Sequence, residues 1–199
     1  GVCKVGHLLP YYPVLLLLGI VQFTFFQEAT ANGVSSVVAQ EGIVRKTQFP
    51  RLVIPLATVM TAAFNFGLNL VIVLCFILAW GVDPTWTWLL FIPAAALLFV
   101  LTAAVTTTLS VLFVRFRDVA IIWTVAAQML FYATPIIYPL GKNGINNPSI
   151  EKLVMINPLS VLFEQVRVWV LEPEAPTAAG AAGGALHLLP ALVIFIGVC

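Results

Sequence analysis

Residues 52–80 hold 29 consecutive positions without an Asp, Glu, Lys, Arg or His. A helix rises about 1.5 Å per residue and bilayer hydrocarbon is about 30 Å thick, so roughly 20 such residues cross it. The stretch, span B, is therefore long enough to cross with tilt. The whole chain matches that reading: 61% of its 199 residues are hydrophobic, only 9% are charged, and mean hydropathy is +1.07. Soluble domains carry about 25% charged residues. The expected fold is an all-α, polytopic helical membrane protein, read as one domain over residues 1–199. Net charge is +1 at pH 7, so nothing in the charge balance points to nucleic acid.

Four more apolar stretches flank span B. Span A covers about 11–38, beginning YYPVLLLLGIVQFTFF and turning more polar at Gln27, Glu28, Asn32 and Ser35. Span C covers about 86–114, with Thr102, Thr106, Thr107, Thr108 and Ser110 in its second half. Such residues bond neighbouring helices or their own carbonyls. Span D covers about 119–138 and ends ATPIIYPL, where Pro135 and Pro139 break it. A last run, 186–199, stops inside an apolar sequence. About four complete spans and a truncated one are expected. The first residue is Gly1, and residues 1–10 lack the basic start and apolar core of a signal peptide. Both ends are expected to be truncated.

The connections give an orientation. The A–B turn reads EGIVRKTQFPRLVIP and the C–D turn VRFRDVA; together they hold Arg45, Lys46, Arg51, Arg115 and Arg117. The B–C turn, Gly81-Val82-Asp83-Pro84, holds no basic residue and is flanked by Trp80, Trp86 and Trp88, suited to a membrane boundary. The basic turns are expected to be cytoplasmic and the long segment around Asn146 external. Within that segment residues 157–171, NPLSVLFEQVRVWVL, number 15, too few to span comfortably. A re-entrant or interfacial helix is expected there, with Glu164 and Arg167 paired three residues apart.

No enzyme constellation is present. The sequence lacks G-x-x-x-x-G-K-[ST], H-E-x-x-H, C-x-x-C and G-x-S-x-G. Cys3, Cys75 and Cys199 have no metal or redox spacing, and His7 and His187 are isolated. These read as structural residues. No cofactor or metal is expected on this chain.

Four segments in order carry a resemblance: GIVRKTQFPRLVIPL, VRFRDVAIIW, ATPIIYPL and INPLSVLFEQVRVWVL. The set resembles the permease subunit of type-2 ABC exporters, the branch that exports O-antigen, teichoic acid and related lipid-linked polysaccharides. Family members also carry an N-terminal amphipathic cytoplasmic helix, a further first span and a completed last span. The resemblance implies a multi-pass protein of the bacterial plasma membrane, working as a homodimer with a cytoplasmic ABC ATPase that holds ATP and Mg. It implies a coupling helix in the second-to-third-span segment, here about 33–49, and external gate helices, here about 135–171.

Candidate site residues follow. ATPase coupling falls on Glu41, Arg45, Lys46, Phe49 and Arg51, with Arg115, Arg117 and Asp118 in the other inner turn. The external gate falls on Pro135, Tyr138, Asn157, Pro158, Glu164 and Arg167. Glu28, Asn65, Asn69 and Tyr132 are candidates for a translocation path. Simpler readings stand beside these: positive-inside anchoring for the arginines, helix capping for Asp118, interhelical bonding for the asparagines, and packing against lipid for the aromatics. A drug or small-lipid exporter of related architecture is the alternative function; a membrane-embedded enzyme or assembly factor is the alternative of another class.

Overall fold

The computed structural model of the chain describes residues 12–40, 53–79, 86–136, 154 and 156–170, together with positions 193 and 197. All regular structure among them is helical. The order is α1 (Tyr12–Ala39), α2 (Val53–Ala79), a 3-10 turn (Trp86–Leu90), α3 (Phe91–Arg115), α4 (Val119–Ala133) and α5 (Pro158–Val170). Val53–Ala79 and Trp88–Arg115 are long and apolar enough to cross a membrane. Their outer faces stay apolar: Met60, Phe64, Leu68, Ile92 and Val111 are exposed. Water disfavours such faces and lipid does not.

Helix α1 is the hub. It packs most extensively on α2 and α3, then on α4 and α5. One cluster joins Val14 and Leu18 of α1 to Val73 and Ile77 of α2, Ala94 of α3 and Val166 of α5. Trp88 and Trp169 lean on it, so this is the tryptophan-bearing end. The start of α1 thus meets the end of α2 and the start of α3, which makes these three run up and down. A second cluster lies further along: Phe23, Phe26 and Ala29 of α1 with Val59 and Ala62 of α2, Leu98 and Leu101 of α3, Ile136, and Leu159 and Phe163 of α5.

Beyond it the helices close on small residues. Gly33 of α1 is buried where α2 and α3 arrive. A Cβ built on it would overlap the Thr106 methyl and sit 3.3 Å from Thr58 Oγ1. Four buried hydroxyls here bond within their own helices. Thr30 donates to Phe26 O at 2.8 Å, Ser36 to Gly33 O at 2.7 Å, Thr102 to Leu98 O at 2.7 Å and Thr106 to Thr102 O at 2.7 Å. Each satisfies its donor without a partner across the seam, so the helices approach on methyls and hydrogens.

Two elements depart from expectation. Span D, expected over 119–138, is a helix only to Ala133, 15 residues long. That is about 22 Å, short of the roughly 30 Å hydrocarbon core. The reason is local: Thr134 precedes Pro135 and is extended, at φ −87 and ψ 137, as proline imposes on the residue before it. Thr134 donates to Leu130 O through both its backbone N–H and its hydroxyl, which ties off the helix end. Span C, expected from about 86, opens as the 3-10 turn before α3 begins at Phe91. The expected last run, 186–199, lies outside the described residues apart from positions 193 and 197.

Replacing Gly33 with Ala should lower stability by about 1–3 kcal/mol, the usual range for overpacking. Thr106→Ser, which removes the methyl and keeps the hydroxyl, should recover much of it. Thermal unfolding of the detergent-solubilised single and double variants measures both effects.

Candidate functional site

Among the described residues, the candidate polar groups gather in three places. The first is a face shared by α1 and α2. Thr24, Gln27, Asn32 and Ser35 are exposed on α1, within one arc that also includes half-buried Glu28. On α2, Thr61, Asn65 and Asn69 recur every fourth residue and so share a face. Asn65 Nδ2 donates to Glu28 Oε1 at 2.7 Å and stitches the two rows together. Asn69 Nδ2 donates to Asn65 O at 3.0 Å. Of the expected path residues, Glu28, Asn65 and Asn69 are therefore contiguous. The interhelical bond and the exposed row coexist on the same residues. Hydrocarbon disfavours a half-exposed carboxylate, so such a face seeks water, a polar ligand or another protein surface.

Tyr132, the fourth path candidate, stands elsewhere. It is 61% exposed on α4 and its ring meets Phe131 edge-on at 5.5 Å. From there an aromatic ladder runs inward. Phe131 packs on Phe23 at 5.1 Å, Phe23 on Phe26 at 6.1 Å, and Phe26 on Trp123 at 6.2 Å. Phe23, Phe25 and Phe26 are buried in the core and hold α1 to its neighbours.

The second place is α5. Arg167 Nη1 donates to Glu164 Oε1 at 2.9 Å, with the side chains 7% and 1% exposed. The spacing of three puts both on one face, and that face is buried against the bundle rather than spread on a surface. Arg167 also borders a cavity of about 20 Å³ beside Gln22, Pro135 and Phe163. Gln22, 3% exposed, is a buried polar residue that the sequence did not single out. Among polar neighbours in span A it carried no distinguishing signal. Ile136 covers Gly19, where a Cβ would come within 3.1 Å of Ile136 Cγ2, and Pro135 lines the same small cavity. Asn157 opens α5: its Oδ1 accepts from Leu159 N at 3.1 Å, and its Nδ2 donates to Thr134 Oγ1 at 3.4 Å. Pro158 occupies the first helical position, where a missing N–H is harmless. Five of the six gate candidates, Pro135, Asn157, Pro158, Glu164 and Arg167, thus meet at the junction of α4, α5 and α1. Tyr138 lies outside the described residues.

The third place is the turn between α3 and α4. Arg115, Arg117 and Asp118 are all exposed, and the Arg115 guanidinium lies 5.7 Å from the Phe116 ring centre. Asp118 occupies the N-cap position of α4, but its carboxylate makes no capping bond. Its carbonyl accepts from Ile121 N and Ile122 N, each at 3.1 Å. Of the expected coupling segment 33–49, residues 33–39 are the end of α1, with Gly33, Val34 and Ser36 buried. Those three residues are packing surface, while Ser35 and Ala39 of the same stretch are exposed. Glu41, Arg45, Lys46, Phe49 and Arg51 lie outside the described residues.

Removing one member of the Glu164–Arg167 pair should cost about 3–5 kcal/mol, since the other charge stays buried. Glu164→Leu with Arg167→Leu should be less damaging than either single change. Thermal unfolding of the three variants in detergent checks that ordering.

Comparison with known proteins fits the bundle. A profile of the ABC-2 type transporter family matches residues 6–171. The chain is 29% identical over 171 residues to the O-antigen export system permease protein RfbA of Myxococcus xanthus, covering 85% of this chain and 65% of that protein. It is 32% identical over 131 residues to a Klebsiella pneumoniae protein of the same name, covering 65% of this chain and 51% of the relative. The chain therefore spans about half to two thirds of the length of these curated relatives. With its apolar helices and a profile matched along most of its length, the chain belongs to the ABC-2 type transporter family of membrane proteins.

Proposed function

We propose that this chain is the transmembrane permease of an ATP-driven exporter that moves lipid-linked polysaccharide from the cytoplasm to the exterior across a bacterial plasma membrane. The observation that carries the reading is the polar face of α1 and α2, joined at the Glu28–Asn65 bond. A row of amides, hydroxyls and one carboxylate offers many donors and acceptors and little charge, which suits sugar hydroxyls. The names of the relatives support polysaccharide as cargo.

Energy comes from elsewhere. The sequence has no phosphate-binding loop, and its relatives' family works with a separate ABC ATPase. In the proposed assembly two copies of the permease face each other across the path and ATP with Mg binds the partner subunits. The basic turns face the cytoplasm. The island from Glu41 to Arg51 receives the ATPase and relays its movement into α2. Helix α5 enters the membrane from outside without crossing. In support, Leu159 and Phe163 near its start pack with Phe23 and Leu101, while Val166 and Trp169 near its end pack at the tryptophan-bearing end.

Two outcomes test the reading, with surface glycan measured in a host that supplies the ATPase and the lipid-linked substrate. Glu28→Gln should retain most export, because the amide still bonds Asn65. Glu28→Leu should lower export about tenfold, since it leaves the Asn65 amide without its acceptor, a loss of roughly 1–3 kcal/mol. Equal export by wild type and Glu28→Leu would remove this face from the path. Reversing Arg45 and Lys46 to Glu should leave insertion intact and uncouple or release the ATPase, read as ATP turnover without export or as loss of co-purification.

A further inference from the structure

Helices α3 and α4 diverge from the turn that joins them. They touch sparingly, although they are consecutive and linked by only three residues. Between them lies an open cavity of about 260 Å³. Leu101, Val105 and Leu109 form its α3 wall, and Trp123 and Leu130 its α4 wall. Phe26 and Leu159 contribute where α1 and α5 meet it, and Asn157 lies at that end. At the other end the lining stops at Leu109 and Trp123, one to two helical turns short of the turn at 116–118, where exposed Arg115 and Arg117 lie.

We propose that this crevice holds one acyl chain of an anionic membrane phospholipid, with its phosphate at Arg115 and Arg117. The volume exceeds the ~150 Å³ of an apolar cavity that stays dry and accepts a benzene-sized guest. Water gains little from such walls, and a hydrocarbon chain from the surrounding leaflet fills them. The length agrees. Leu101 lies 14 residues before Arg115 on the same helix, or about 21 Å. That is the depth of one leaflet with its headgroups, half of about 40–45 Å. The charge agrees as well: the turn carries two guanidiniums against the single carboxylate of Asp118, and basic groups at the membrane surface select anionic lipids. The occupant is a resident lipid of the leaflet next to this turn. Its site is on a different face from the Glu28–Asn65 row and does not depend on what is exported.

The test uses the full chain in phosphatidylcholine vesicles that contain a minor fraction of lipid with brominated acyl chains, which quench nearby indoles. The Trp123 signal is the difference between wild type and Trp123→Phe. Brominated phosphatidylglycerol should half-quench it at up to about 25-fold lower mole fraction than brominated phosphatidylcholine, since each of the two arginines favours an anionic headgroup by about fivefold. Arg115→Gln with Arg117→Gln should abolish the preference, and Arg117→Gln alone should reduce it about fivefold if the double variant does not fold. Val105→Phe, which fills the crevice, should protect Trp123 from both lipids. Three results would overturn the proposal: no quenching of Trp123 by either lipid, as when a second copy or another segment of the chain covers the crevice; equal quenching by both headgroups; or a preference that survives loss of the arginines.

Discussion

The close crossing of α1 with α2 and α3 at Gly33 is the constraint on which the bundle depends. In lipid, apolar side chains gain nothing by leaving their surroundings for one another, so helices associate where backbones come close and dispersion contacts multiply. Gly33, facing the Thr106 methyl and Thr58, supplies that approach at one end. Larger residues take over along α1: first Ala29 with Ala62, then the phenylalanines, then Val14 and Leu18 against Ile77 and Val166. The seam widens from glycine to aromatic, and α5 is received at the wide end. A bulkier residue at position 33 would push α2 and α3 outward and loosen the far contacts that seat α5.

The polar groups follow from that geometry. Helix α1 is surrounded on much of its circumference, so it can carry Gln22, Thr30 and Ser36 inside without meeting lipid. The uncovered arc bears Thr24, Gln27, Asn32 and Ser35. By contrast α2 and α3 turn Phe64, Leu68 and Val111 outward. Helix α1 thus presents a hydrophilic arc beside largely apolar neighbours, and Asn65 extends that surface onto α2 through Glu28.

The sequence made some of this readable and not the rest. Uninterrupted apolar runs located α2 and α3 because length and hydropathy are local properties. The spacing of Glu164 and Arg167 anticipated their pairing for the same reason. The early end of α4 was obscured, because Ile136 and Ile137 continue the apolar run beyond Pro135 and a hydropathy pattern does not register the lost backbone donor. The aromatic residues were harder still. Phe23 and Tyr132 belong to similarly apolar segments, yet one is core and the other exposed, since that depends on which neighbour arrives on which side. The Gly33–Thr106 approach joins residues far apart in the chain, and no local pattern records it.

The inward-turned hydroxyls of the α1–α3 seam have a mechanical consequence. Thr30, Ser36, Thr102 and Thr106 each spend their donor on a carbonyl of their own helix. None of the four ties one helix to the other. Directional bonds fix a register and must break before it changes, whereas packing of methyls against backbone fixes it by shape alone. On these four residues the seam carries no directional lock: what indexes α1 against α3 is the Thr106 methyl seated over Gly33, so repacking there costs contact and no hydrogen bond. The Glu28–Asn65 bond, on another face of α1, is by contrast a directional tie, and it holds α2 to α1 in one register.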